Sequence, residues 1–105
     1  MAKTKEAYFE ALAIDPLNPE SWYKPLWVVY GHKAFPSIIC CKLNQRDGEV
    51  HIWGYSVWKN QGGFRTLGTN VVTWMKQYEL VKFFDKQELA IAYITQLVTP
   101  KEGIK

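Results

Sequence analysis

Cysteine is scarce in this chain of 105 residues: there are two, adjacent at positions 40 and 41. Two neighbouring thiols cannot build a disulfide framework, which excludes the stapled secreted scaffolds of similar length. Like charges never run to five in a row, so there is no polybasic or polyacidic tail. No stretch approaches the ~18 consecutive apolar residues that a membrane-crossing helix needs. The opening Met1-Ala2-Lys3-Thr4-Lys5-Glu6 lacks the apolar segment of a signal peptide. Cytoplasmic residence without a membrane partner is the resulting expectation. Internal repeats and low-complexity segments are absent as well.

What the chain does have is aromatic side chains, with five Trp, six Tyr and five Phe. The overall composition, 48% apolar and 22% charged, is that of an ordinary globular protein. The length fits a single domain over residues 1–105. Each buried ring covers ~150–250 Å², so a small core fills early and rings are left for the surface. The net charge of +3 comes from cations spread along the chain. It permits a nucleic-acid partner without requiring one, because such modules carry a denser basic patch.

Residues 3–14 read as a helix, with Tyr8, Phe9, Leu12 and Ala13 on one side and Lys5, Glu6 and Glu10 toward solvent. Pro16 stops it, since the residue before a proline is pushed out of the α region. Asn18-Pro19-Glu20-Ser21 then has the cap, first-turn proline and acidic residue of one short helical turn. The run Ala11-Leu12-Ala13-Ile14-Asp15-Pro16-Leu17-Asn18-Pro19-Glu20-Ser21-Trp22-Tyr23 resembles the join between two tetratricopeptide repeats, and membership would imply a helical peptide-binding array. The likeness occurs once and covers roughly a quarter of the chain, whereas such repeats bury their faces only in sets of about three. Pro25 also interrupts what would be the next helix. The shared feature is turn chemistry.

From Leu26 the pattern becomes strand-like. Leu26-Trp27-Val28-Val29-Tyr30, residues 36–43 and residues 50–58 are β-rich runs. Asp47-Gly48 between the last two is a hairpin signal. Residues 64–67 and 70–75 read as one interrupted strand or two short ones around Gly68, and 78–84 as a further strand. Asp85 with Glu88 three positions on is a capping-box variant opening a helix, whose stripe is Ala90, Tyr93, Ile94, Leu97 and Val98 before Pro100. The fold class is α+β: an antiparallel four- to five-stranded meander with an N-terminal and a C-terminal helix packed on one face.

A two-residue loop at Asp47-Gly48 fixes the register. Arg46 then faces Glu49, and the pairs run Leu43–Ile52, Lys42–Trp53, Cys41–Gly54, Cys40–Tyr55, Ile39–Ser56 and Ile38–Val57. One face holds Leu43, Ile52, Cys41, Gly54, Ile39 and Ser56, and is assigned to the helix-covered core. The other holds Lys42, Trp53, Cys40, Tyr55, Ile38 and Val57. Two helices cover only one face of such a sheet. The second face is therefore either closed by a curl of the 22–31 segment with another strand or exposed as an aromatic patch with a basic rim. A one-residue slip would exchange the two faces.

Chemistry finds little support. Cys40 and Cys41 point to opposite faces and cannot share an ion, and with His32 and His51 they lack the spacing of a zinc site. Two buried strand cysteines is the preferred reading. Cys40 with His51 is the one nucleophile–base pair the hairpin brings near, and no local motif accompanies it. The carboxylates Glu6, Glu10, Glu20, Glu88 and Glu102 read as solvated. Lys59-Asn60-Gln61-Gly62-Gly63-Phe64-Arg65 lacks both glycine-rich phosphate signatures and reads as a turn with basic shoulders.

No catalytic residue, metal or cofactor is expected. The expected function is a non-catalytic binding domain whose candidate contacts are Trp53, Tyr55, Lys42, Lys59 and Arg65, with a protein partner or a second copy favoured. Single-stranded nucleic acid is the alternative, since aromatics on a sheet beside Lys and Arg stack bases. A small enzyme or ligand carrier comes third. Accessory and inhibitor proteins of phages and mobile elements share this make-up, an analogy of type that rests on no motif.

Overall fold

The structure is a computed structural model that describes the backbone of residues 5–55 and 65–98 and the side chains of 7–54 and 69–98. Helix α1 (Lys5–Leu12) is followed by a single 3-10 turn at Pro19–Ser21. Strands β1 (Leu26–His32), β2 (Phe35–Arg46), β3 (Glu49–Tyr55) and β4 (Arg65–Asn70) come next, then helix α2 (Val71–Met75), strand β5 (Leu80–Phe84) and helix α3 (Gln87–Val98). The sheet order is β4-β3-β2-β1-β5, and every pair is antiparallel. The expected meander holds from β1 to β4, and β5 returns to the far edge beside β1.

The Asp47-Gly48 reversal is a two-residue turn with positive φ at both positions, 52° and 80°. Two left-handed residues in succession make a type I′ turn, whose twist matches that of the strands it joins. The register from Arg46↔Glu49 to Cys40↔Tyr55 is the one expected; the Ile39–Ser56 and Ile38–Val57 pairs fall outside the described residues. The single strand β4 spans Gly68, with a register irregularity against β3 between Ile52 and Gly54.

Both faces of the sheet are covered, which corrects the assignment of the terminal helices to the Leu43 and Ile52 face. Leu26, Val28, Cys41, Leu43, Ile52 and Phe83 point to one side, where Val71 and Trp74 of α2 close over them with Ile14 and Trp22 from the preceding loop. Val29, Leu80 and Phe84 point to the other, beneath Phe9 of α1 and Ala90 and Tyr93 of α3. The terminal helices do share one face, but it is the face of Ile38 and Trp27 rather than that of Leu43 and Ile52. No curl of the 22–31 segment is involved, because residues 26–32 are the sheet's own strand between β2 and β5.

The source of the error is α2, read from sequence as strand. Asn70 caps it: its side-chain oxygen accepts from the amides of Val72 at 2.9 Å and Thr73 at 3.2 Å. That satisfies two of the amides a helix start leaves open. Val71, Trp74 and Met75 then fall at i, i+3 and i+4 and face the sheet, while Val72 and Thr73 face outward.

Smaller boundary shifts have local causes. The first helix ends at Leu12 because the Ile14 amide bonds to the Phe83 carbonyl at 2.7 Å and joins the edge of β5. The last helix opens at Gln87, with the Lys86 carbonyl accepting from Leu89 and Ala90. The expected turn at 18–21 is present, with Asn18 accepting from the Glu20 amide at 3.0 Å. A strand follows it, so the tetratricopeptide likeness stops at the turn.

Loop 13–25 is pinned by side chains. Trp22 Nε1 donates to the Pro16 carbonyl at 2.9 Å, and buried Ser21 donates to the Asp15 carbonyl at 3.1 Å. Tyr23 adopts a left-handed conformation, φ 69°, held by its amide bond to the Leu43 carbonyl at 2.7 Å.

Two stability outcomes are expected. A Cβ at Gly48 would meet nothing within 4 Å, so the cost of Gly48→Ala is conformational alone. It should destabilise by about 1 kcal/mol in urea unfolding, whereas a clash would raise that severalfold. Asn70→Ala removes the cap of a five-residue helix and should cost about 1 kcal/mol in the same measurement; no change would mean the cap is dispensable.

Candidate binding surface

Most of the aromatic surplus is consumed by the two cores. On the α2 side Tyr30 lies 5.0 Å from both Trp74 and Tyr78, with Phe83 6.4 Å from Trp74. Burial, and secondarily the Tyr78 phenol, pushes the Tyr30 phenol up in pKa. On the terminal-helix side Phe9, Phe84 and Tyr93 form a triangle with centroids 5.1 to 6.1 Å apart. Trp74 is therefore core, and Trp27 packs against the second core. Exposed rings among the described residues are Tyr8, Tyr23 and Phe35, with Trp53 half-buried.

Trp53 stands on β3 directly opposite Lys42 of β2, on the face the terminal helices share. Strand alternation places Asn44 and His51 on the same side, one row toward the hairpin turn. The indole N–H donates to Asn44 Oδ1 at 2.6 Å, so the ring is fixed in orientation across the strand pair. His51 Nε2 lies 3.5 Å from the Glu49 carboxylate. This corner carries one cation, one anion, an amide and an indole, a mixed polar and aromatic surface.

The side chains of the other expected contacts, Tyr55, Lys59 and Arg65, lie outside the described residues. Tyr55 is in register with Cys40. Lys59 lies outside those residues altogether. Arg65 has a described backbone, opposite Gly54. The contacts that sequence reasoning missed are Asn44, which holds the indole, and His51 beside it. Both were legible from the register as same-face neighbours of Trp53.

The strands do not bring Cys40 and His51 together. Cys40 and Cys41 are both buried, under opposite faces of the sheet. Burial first, and the adjacent Cys40 second, pushes the Cys41 thiol up in pKa and away from the reactive thiolate. His51 pairs with Asn44, four residues along β2 from Cys40, about 13 Å at strand rise. Among the described residues no group of three His, Cys, Asp or Glu side chains could hold a metal ion. No helix there is long and apolar enough to cross a membrane.

No family model, no curated protein and no solved structure matches this chain.

One outcome follows for the thiols. At about pH 8, near the ordinary thiol pKa, neither cysteine should react with an aromatic disulfide reagent in the folded protein. Two should react after unfolding in guanidinium. Rapid labelling of either in the native state would place a thiol at the surface.

Proposed function

We propose that this chain is a non-catalytic binding domain that recognises another protein through the β3 corner of its terminal-helix face, centred on Trp53. One observation carries the reading: α3 packs on β1, β2 and β5, while Trp53 on β3 stays half-buried with its indole locked to Asn44. A large ring held in one orientation loses little entropy when a partner covers it, and Trp is favoured at binding hot spots for that reason. Lys42 opposite it and Asn44 beside it give such a partner polar contacts around an apolar centre. The buried cysteines and the separated Cys40–His51 pair support the non-catalytic part. Two free thiols also accord with a cytoplasmic setting.

A second reading rests on the Lys42–Trp53 pair itself, since a cation beside a half-exposed ring also suits single-stranded nucleic acid. Salt separates the two, because phosphate contacts release counterions and weaken steeply as salt rises.

The test is affinity capture from the native host by wild type, Trp53→Ala and Lys42→Ala, with near-ultraviolet circular dichroism checking the fold. A protein retained by wild type and lost from Trp53→Ala supports the reading. Equal retention by both tryptophan forms rejects the site. Oligonucleotide binding that falls steeply between low and physiological salt transfers the surface to nucleic acid.

A further inference from the structure

The opposite side of the molecule, under α2, carries both a hole and a knob. The hole is a groove of about 320 Å³ between Asp15, Pro16 and Leu17 of the loop and Val72, Met75 and Lys76 at α2. Its floor is apolar, and Leu17 and Val72 remain 51% and 39% exposed. The knob is Phe35, 81% exposed at the tip of the β1–β2 hairpin and the most exposed large apolar side chain among the described residues.

This tip is built stiffly for a surface turn. The Ala34 amide donates to His32 Nδ1 at 3.0 Å, and the Lys33 amide donates to Glu79 Oε2 at 2.9 Å. The His32 ring lies 6.0 Å from that of Phe35. Phe35 is thus held out on a tethered turn instead of folding back on its own strand.

Hole and knob match in charge and lie on the same side. Asp15 and Lys76 flank the groove, while Lys33 and Glu79 flank Phe35, so each feature carries one charge of each sign. The pairing His32↔Phe35 continues Tyr30↔Ser37 and Val28↔Ile39, which directs Phe35 to the side that α2 covers. Residues 76–79 run from the rim of the groove to the tip. Neighbouring, mutually complementary features on one surface are what a two-fold interface requires, because both contacts then form at once.

We propose that two copies of this chain form a symmetric dimer in which Phe35 of each seats in the Leu17–Val72 groove of the other. This surface is separate from the Trp53 corner and does not depend on it.

Sedimentation velocity over a concentration series tests the proposal on wild type, Phe35→Thr, Val72→Glu, an equimolar mixture of those two variants, and Trp53→Ala. Wild type should move toward twice the chain mass as concentration rises. Each groove or knob variant alone should associate at least tenfold more weakly. The mixture should associate better than either variant alone, because one intact knob still meets one intact groove. Trp53→Ala should behave as wild type. Both substituted side chains are exposed, and an acid in the first turn suits a helix start. Leu17→Lys is the substitute should Val72→Glu unfold. The proposal is overturned if wild type stays monomeric throughout, if Phe35→Thr associates as wild type does, or if the mixture gains nothing over its components.

Discussion

The constraint on which the architecture depends is the two-sided burial of β1 and β2. Val28 and Val29 are neighbours in sequence, point to opposite faces, and are both fully buried; Cys40 and Cys41 repeat the arrangement on the next strand. A strand pair in that position exposes several apolar side chains unless both faces are closed, at roughly 1.5–3 kcal/mol for each large one. The chain is short, and the helices among the described residues are of eight, five and twelve residues. The closure is therefore shared between helices and a pinned loop. In the loop, the Trp22–Pro16 bond and the Ile14–Phe83 bridge hold in place the two side chains that join that closure.

This constraint was visible in the sequence. Leu26 to Tyr30 and Ile38 to Cys41 are continuous apolar runs without the polar alternation of a half-solvated strand, the pattern of strands buried on both sides. Taken seriously, they call for cover on two faces and hence for a third element besides the terminal helices. That element was hidden because Val-Val-Thr-Trp at 71–74 has β-forming composition. Tertiary packing overrides it. Asn70 as a cap and the 71/74/75 spacing were the countersignals, but a five-residue helix offers a single turn of periodicity, too little to outweigh propensity.

Register, by contrast, was legible to the residue. It depends on a local rule with few exceptions, the left-handed pair Asp47-Gly48, and strand alternation carries the result six residues along each arm. The placement of Trp53 opposite Lys42 follows from that turn alone. Which face the terminal helices would choose did not follow, because it is decided by β5, which joins β1 from 48 residues away in sequence and brings Phe84 to one face and Phe83 to the other. Local chemistry fixed pairing; long-range packing fixed cover.

The two layers are offset across the sheet, and the offset is what creates a surface. On one side α1 is tied to the β5 edge by the Ile14–Phe83 bridge and by the Glu10–Lys82 ion pair. Two helices side by side span about 20 Å, so α3 beside α1 reaches over β1 and β2 and its cover ends toward β3. On the other side α2 follows directly from β4 and packs at the β3–β4 end. On that face Trp74 reaches across the sheet to Tyr30 of β1 and Phe83 of β5. The corner of β3 that holds Trp53 lies beyond the strands on which α3 packs, three strands from the β5 edge where α1 is anchored. Asn44 gives the indole N–H an acceptor at that corner, so the ring keeps its place without a helix above it.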